Sequence, residues 1–363
     1  MNPTRNIISL VRRYSTSRTV KISSHGSPAT ALKSMNDMWW NDGFAKIENE
    51  NITDKISNKE VLVEMLHAPI NPADLNIIQG TYGTNVQVGG VAGMEGVGVV
   101  KKVGSGVTGL KENDLVVPSM KQHFGSWRSK GVWSEQQLFK VPSDIPTEYL
   151  SSISINPTTA YLLLNDFVKL QQGDVIIQNA SNSMVGLSVV QIAKARGIKT
   201  INVIRNGPEF EDNVQRIKQL GGDIVVSEEY VRTPAFRKLI SDLPSPKLAL
   251  NAVGGQSATE LSRILADNGT LVTYGGMSRE PVTIPTSQLI FRNIQLRGFW
   301  LNKWFEQHTD SEKQSVYDAI FDLIRKKQFK LMIEKHKFSE FDAALLKSQQ
   351  PGHGRKVVLD LQL

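Results

Sequence analysis

Residues 174–205 read DVIIQNASNSMVGLSVVQIAKARGIKTINVIR, and this stretch decides the fold. Val175–Ile177 form an apolar run that ends in the polar turn Gln178–Ser183. An amphipathic run follows, with Val185, Val189, Ile192 and Ala193 at helical spacing, and then a second apolar run, Thr200–Ile204. Strand, loop, helix and strand in that order are the opening unit of a dinucleotide-binding α/β fold. An NAD-binding unit carries Asp or Glu about 20 residues beyond its glycine turn, where it accepts hydrogen bonds from the ribose hydroxyls. Here the second strand ends in Arg205, and the next carboxylate is Glu209. A carboxylate repels a 2′-phosphate, whereas a guanidinium attracts it through a planar, charge-assisted fork. The chain is therefore expected to take NADPH and to carry out reductive chemistry.

The glycine pattern alone does not establish this. Of the glycines expected in the turn only Gly186 is present, at a position of close packing, and Ala180, Ser183 and Met184 stand where glycine is common. An ordinary crossover that binds nothing shares much of this pattern. The strand-loop-helix context, Arg205 and a later glycine turn, Tyr274-Gly275-Gly276-Met277, together favour a nucleotide site.

At 363 residues the chain exceeds the usual limit of a single core, about 250–300 residues, so two domains are expected. A hydrophobic content of 40% is enough to fill them. No apolar run approaches the roughly 18 residues that signal a membrane span. The absence of cysteine excludes disulfides, a thiolate nucleophile and cysteine-ligated zinc. The six histidines (His25, His67, His123, His308, His336 and His353) show no metal-ligand spacing and read as surface or structural residues.

The net charge of +7 is concentrated at one end. Residues 1–36 hold Arg5, Arg12, Arg13, Arg18, Lys21 and Lys33 and no acid; without these six the 42 basic residues fall to 36, against 35 acidic ones. A nearly neutral body removes the main support for a nucleic-acid partner. The basic segment is rich in Ser and Thr and carries Ile7, Ile8, Leu10 and Val11 among its arginines, the composition of a mitochondrial transit peptide. Arg12-Arg13-Tyr14-Ser15 resembles a matrix-protease site with the cut after Tyr14, so residues 1–36 are read as transit peptide and leader, and the destination as the mitochondrial matrix.

Short apolar or alternating runs broken by Gly, Pro and Asn make residues 44–150 β-rich. Residues 312–329 read as helix, and the final RKVVLDLQL reads as a strand. The expected architecture is a β-rich domain over 37–158, a nucleotide-binding domain over 159–301, and a return to the first domain over 302–363, with the ligand in a cleft between them.

Asn71-Pro72-Ala73-Asp74, Gly93-Met94-Glu95-Gly96-Val97-Gly98, and Val103-Gly104 followed by Asp114-Leu115-Val116 resemble the medium-chain dehydrogenase/reductase superfamily. The resemblance implies a GroES-like domain joined to a Rossmann domain. Zinc-dependent members place a cysteine in the segment held here by Asn71–Asp74 and a histidine where Met94 stands. Both ligands are missing, so no metal is expected. More closely, PADLNIIQGTYG (72–83), QNASNS (178–183), YGGM (274–277) and FWLNKW (299–304) are similar to the mitochondrial trans-2-enoyl thioester reductases. This likeness runs from Met38 to Leu363, and Met184 departs from the glycine usual at its position.

The resemblance implies site residues that chemistry can be set beside. The family's catalytic tyrosine falls on Tyr82. A phenol with an ordinary pKa of about 10 stays protonated at neutral pH and can hand its proton to a developing enolate. Cofactor contacts implied for this chain are Asn156; Asn182, Ser183, Met184 and Val185; Arg205, Asn206 and Gly207; Tyr274, Gly275, Gly276 and Met277; Phe299, Trp300 and Leu301; and Lys356. Lys356 either reaches a phosphate or faces solvent, and Trp300 either walls a thioester pocket or packs. The expected activity is NADPH-dependent reduction of a trans-2-enoyl thioester carried by acyl carrier protein or coenzyme A, in a homodimer of the kind the family forms through its Rossmann sheets. An NADPH:quinone reductase on the same fold is the alternative enzyme. A module that binds NADPH only structurally and docks on RNA is the alternative outside enzymes, and the neutral body argues against it.

Overall fold

Sequence-distant partners hold the first described strand in place. The structure, a computed structural model, describes residues 14–23, 45–53, 55–83, 86–350 and 354–362. Contacts divide the chain into two units. One takes residues up to Ser151 together with 336–342 and 359–363; the other takes 152–335 and 343–358.

The first unit runs β1 (Tyr14–Ile22), β2 (Ala45–Thr53), β3 (Glu60–Pro69), α1 (Pro72–Ile78), β4 (Val97–Val103), β5 (Leu115–Pro118), β6 (Lys130–Ser134), β7 (Leu138–Val141) and α2 (Thr147–Leu150). β3 pairs with β4 and β6, β4 with β5, and β5 with β7, all antiparallel. Val61 and Val63 are fully buried, as β-branched residues on the covered face of a pleated strand should be. Trp127 is also fully buried; its indole N–H donates to the Pro69 carbonyl at 3.1 Å, and its ring meets Phe341, in the returning segment, edge-on at 5.3 Å.

The reading of residues 1–36 as a leader is corrected by β1. This strand pairs with β2 over its whole length. On its other side Val20 N–H donates to Trp127 O and accepts, through its own carbonyl, from Ala92 N–H, both at 2.9 Å; Ile22 N–H donates to Gly90 O at 3.0 Å. Val20 and Ile22 are completely buried. A segment with both edges paired and its apolar side chains sequestered is part of the fold, so residues 14–22 do not belong to a leader. Arg5, Arg12, Arg13 and residues 24–36 lie outside the described residues.

The second unit runs α3 (Asn156–Asn165), β8 (Val175–Gln178), α4 (Met184–Ala195), β9 (Lys199–Ile204), α5 (Phe210–Leu220), β10 (Ile224–Ser227), α6 (Pro234–Leu239), β11 (Leu248–Asn251), α7 (Gly255–Ile264), β12 (Thr270–Thr273), α8 (Thr286–Arg292), β13 (Gln295–Gly298), α9 (Leu301–Gln307) and α10 (Asp310–Arg325). The last elements are β14 (Ile333–Lys337), α11 (Phe341–Ser348) and β15 (Lys356–Asp360). Six strands form one parallel sheet in the order β10-β9-β8-β11-β12-β13. β8 and β11 are buried at every position, as expected for strands covered on both faces. One layer packs Val175, Ile177, Ile201, Val203, Phe236 and Leu271 together; the other packs Leu187 and Val190 of α4 with Ile204, Ile217 and Leu220. Each such side chain contributes about 1.5–3 kcal/mol by leaving water, so these layers carry the sheet.

The second unit also keeps residues that the sequence assigned to the return. Trp304 donates from its indole to Asp166 at 3.1 Å, Tyr317 to Ser154 at 3.1 Å, and Gln191 to the Lys330 carbonyl at 3.1 Å. These bonds fasten α9 and α10 to α3 and α4, and the division falls at Ser151/Ser152 instead of before Thr159.

Candidate active site

In the first unit the site is built from α1 outward. Pro72 occupies the first turn, where its missing N–H costs nothing. The Asp74 carboxylate accepts from Asn71 N–H at 2.8 Å and Met94 N–H at 2.9 Å, and the Asn71 amide donates to Glu95 at 2.9 Å. Asn71, Asp74 and Glu95 are all buried. At the other end Gly80 adopts φ 71°, a left-handed conformation that turns the chain sharply. Thr81 N–H donates to Asn76 O at 2.9 Å, and half-buried Tyr82 follows at once. Tyr82 therefore sits on a short turn fastened to a helix whose start is clamped to residues 94 and 95. Among the described residues no group of three or more His, Cys, Asp or Glu side chains is gathered in a way that could hold a metal ion.

In the second unit most of the nucleotide residues fall on one edge. In a parallel sheet ligands bind beyond the carboxyl ends of the strands, where the strand order reverses, here between β8 and β11. Asn182–Val185 follow β8, Arg205–Gly207 follow β9, Tyr274–Met277 follow β12, and Phe299–Leu301 follow β13. Asn156, at the start of α3, and Lys356, on β15, lie off these loops. Lys356 is only 4% exposed, which overturns its solvent-facing alternative.

The turn after β8 shows why it manages with one glycine. Ala180 takes φ 47° itself. At Gly186 a Cβ would stand 2.6 Å from Ser181 Cα, so this position admits no side chain. The Ser183 hydroxyl accepts from Gly186 N–H at 3.1 Å and caps α4, while the N–H groups of Met184 and Val185 have no acceptor within the helix and lie at the positive end of its dipole. The departure at Met184 is accommodated: its side chain packs on the Leu187, Val190 and Ile217 cluster. Arg205, Asn206 and Gly207 are exposed, and the Asn206 side chain accepts from Gly207 N–H at 3.1 Å.

Tyr274 tests whether a phosphate-bearing ligand fits. Its hydroxyl is buried and makes no hydrogen bond of ordinary geometry, although the Ser183 side chain lies close enough to interact with it. Burial pushes the phenol far above its usual range, and the nearby Ser183 side chain offsets this only in part. A buried O–H donor without a well-formed hydrogen bond beside the capped start of α4 is a cost that an anionic oxygen would relieve. The rest of the turn rests on backbone bonds: Tyr274 N–H to Asn251 O at 2.9 Å and Met277 N–H to Ala252 O at 3.0 Å. Phe299 packs edge-on against Phe167 at 5.9 Å, Leu301 is buried, and Trp300, the residue just before α9, is 44% exposed.

The sequence reading missed a second polar group on this edge, Asn179, Asn251, Ser257 and Glu228. The available signal was an asparagine at or just after the end of each of two apolar runs, Val175–Ile177 and Leu248–Leu250.

Residues 57–143 match the alcohol dehydrogenase GroES-like domain family, and residues 185–333 match the zinc-binding dehydrogenase family. Together with the β-rich unit and the six-stranded parallel sheet, these matches define a medium-chain dehydrogenase/reductase. Over all 363 residues the chain is 92% identical to the mitochondrial enoyl-[acyl-carrier-protein] reductase of Dictyostelium discoideum, covering 100% of both. It superposes on the mitochondrial 2-enoyl thioester reductase Etr1p/Etr2p heterodimer from Candida tropicalis with TM-score 0.85 and 30% identity, covering 95% of this chain and 100% of that one. An Etr1p complex with NADP and crotonyl-CoA gives TM-score 0.84 at 30% identity, with the same coverage. The chain belongs to the mitochondrial enoyl-[acyl-carrier-protein] reductase family.

Proposed function

We propose that this protein reduces trans-2-enoyl thioesters to saturated acyl thioesters with NADPH. The observation that carries the cofactor is the buried Tyr274 hydroxyl, without a well-formed hydrogen bond and next to Ser183 at the capped start of α4, on the same sheet edge as Arg205. Ser183, the first turn of α4 and Tyr274 hold the pyrophosphate, and Arg205 with Asn206 and Gly207 holds the 2′-phosphate. When bound, the cofactor supplies a hydride for C3 of the enoyl group. The Tyr82 hydroxyl supplies the proton for C2, so the C2–C3 double bond becomes single with one hydride and one proton added. Hydrogen bonds to the thioester oxygen stabilise the enolate formed between the two transfers. Acyl carrier protein and coenzyme A both serve as carriers in this reading, since the reacting atoms are the same in each.

The protein works as a homodimer in this proposal. β13 closes the parallel sheet with an open edge whose four residues are all exposed. Beside it Phe291 is 80% and Ile290 66% exposed on α8. An open parallel edge flanked by bare apolar side chains is relieved when a second copy covers it. The site of action is the mitochondrial matrix, reached with a leader that ends ahead of β1. The decisive experiment follows NADPH oxidation with trans-2-hexenoyl-CoA and with an ortho-quinone. Turnover of the thioester with deuterium from solvent at C2 supports the reading; turnover of the quinone alone overturns it.

A further inference from the structure

Five side chains form one hydrogen-bonded line along the carboxyl edge of the parallel sheet. Glu228, just past β10, accepts from Ser257 Oγ of α7 at 2.8 Å. Asn179, just past β8, donates to Ser257 Oγ at 3.1 Å and to Asn251 Oδ1 at 2.8 Å. Asn251, which ends β11, donates to Thr273 Oγ1, which ends β12, at 3.1 Å. The amide orientations are fixed by backbone donors. Ala252 N–H donates to Asn179 Oδ1 at 2.8 Å, and Val253 and Gly254 N–H donate to Asn251 Oδ1 at 3.1 and 3.0 Å. A backbone N–H only donates, so each oxygen is placed and each Nδ2 follows.

Asn179 and Asn251 are completely buried. Two primary amides in that position add nothing to the core that leucine would not; fully satisfied, they hold one geometry. What they hold is the turn 251–254, and the Tyr274–Met277 turn is hung from it through the Tyr274, Met277 and Ser278 N–H groups. A dinucleotide lying across the point of strand reversal places one half over β9 and the other over β11 and β12. Arg205 claims the half with the 2′-phosphate, which leaves the nicotinamide half over the Tyr274–Met277 turn.

We propose that Asn179, Asn251 and Thr273 are positioning residues that set the Tyr274–Met277 turn against the start of α4 and thereby orient the nicotinamide half of the cofactor. The proposal rests on the reading of the chain as an NADPH-dependent reductase. None of the three needs to touch the reacting atoms.

The test compares the full-chain enzyme with Thr273→Val, Asn251→Leu and Asn251→Asp. Two ligands are titrated: NADPH, and adenosine 2′,5′-bisphosphate, which has only the half that faces Arg205. Turnover of a trans-2-enoyl-CoA and the melting temperature are measured alongside. Thr273→Val and Asn251→Leu should each lower kcat/KM and weaken NADPH by about five- to tenfold, the scale of one hydrogen bond, with binding of the bisphosphate within about twofold of the parent. Asn251→Asp should recover most of the loss, because a carboxylate accepts the same three donors and lies at the start of α7, where the helix dipole favours it. Thr273→Val is nearly isosteric and carries the test if Asn251→Leu does not fold. Equal weakening of both ligands, or parent-like behaviour of Thr273→Val, overturns the proposal. A parent enzyme that binds neither ligand overturns the NADPH reading and the proposal with it.

Discussion

Asp74 ties α1 to Met94: one carboxylate oxygen accepts the Met94 N–H at 2.9 Å, while the other accepts the N–H of Asn71 at the head of the helix. The helix that leads into the Tyr82 turn is thus fastened to a segment twenty residues away along the chain. Asp74→Asn turns one of those acceptors into a donor facing a donor. The expected cost is about 1–3 kcal/mol of stability, the penalty of a buried unsatisfied group. Thermal unfolding should show it, and enoyl turnover should fall while NADPH affinity holds.

Tyr82→Phe removes one hydroxyl and keeps the ring. A positioned general acid is worth about 10²- to 10⁴-fold, so kcat and kcat/KM for a trans-2-enoyl thioester should fall together by that order. NADPH binding, read by fluorescence, should stay near the parent value. Turnover within about threefold of the parent would assign the proton to water or to another residue.

Arg205 is exposed at the end of β9, and no acid precedes Glu209. The parent should prefer NADPH over NADH by at least about tenfold, the worth of roughly 1.4 kcal/mol of charge pairing. Arg205→Ala should raise the KM for NADPH and leave that for NADH alone. Equal use of the two cofactors by the parent would remove the argument.

His123 gives the first unit a pH dependence. Burial lowers the imidazole's affinity for a proton, only partly offset by its bond to the Val91 carbonyl. The folded form therefore protonates at lower pH than the unfolded chain. Stability should be full above the unfolded value of about 6.5 and decline as pH falls from there toward the folded value. Melting temperatures between pH 7.5 and 5 should drop for the parent and drop less for His123→Gln. Parallel curves would exclude His123 as the source.

Phe291→Asp places a charge in the apolar patch beside β13. If a second copy covers that edge, sedimentation velocity should show a shift from dimer to monomer at micromolar concentration. An unchanged dimer would place the interface elsewhere.

The strands, α4 and the parallel architecture were legible because their signals are local: two apolar runs and a helical stripe within 174–205. Arg205 and the glycine turn at 274–277 could be read from the residues themselves, whereas the remaining nucleotide contacts rested on the family resemblance. β1 was not legible, since YSTSRTVKI has the Ser, Thr and basic composition of a leader, and its burial depends on partners at 90–92 and 127–129. The Asn179–Asn251 pair was hidden for the same reason: 72 residues separate two amides that meet at 2.8 Å. Lys356 illustrates a third limit, for a lysine in a terminal strand reads equally as phosphate-reaching or solvent-facing until its burial is seen.

The placement of β1 also bears on the order of events when the chain folds. Val20 is made before any of its partners, and Trp127, whose carbonyl it needs, follows more than a hundred residues later. β2, at 45–53, can pair one edge of the strand early, but the other edge, which bonds to residues 90–92 and 127–129, stays open until those residues are made, and closing so long a loop is slow. Whether the chain emerges from a ribosome or enters a compartment amino end first, this edge of β1 waits longest for its partners, and a holdase that shields unpaired strand edges would act there first.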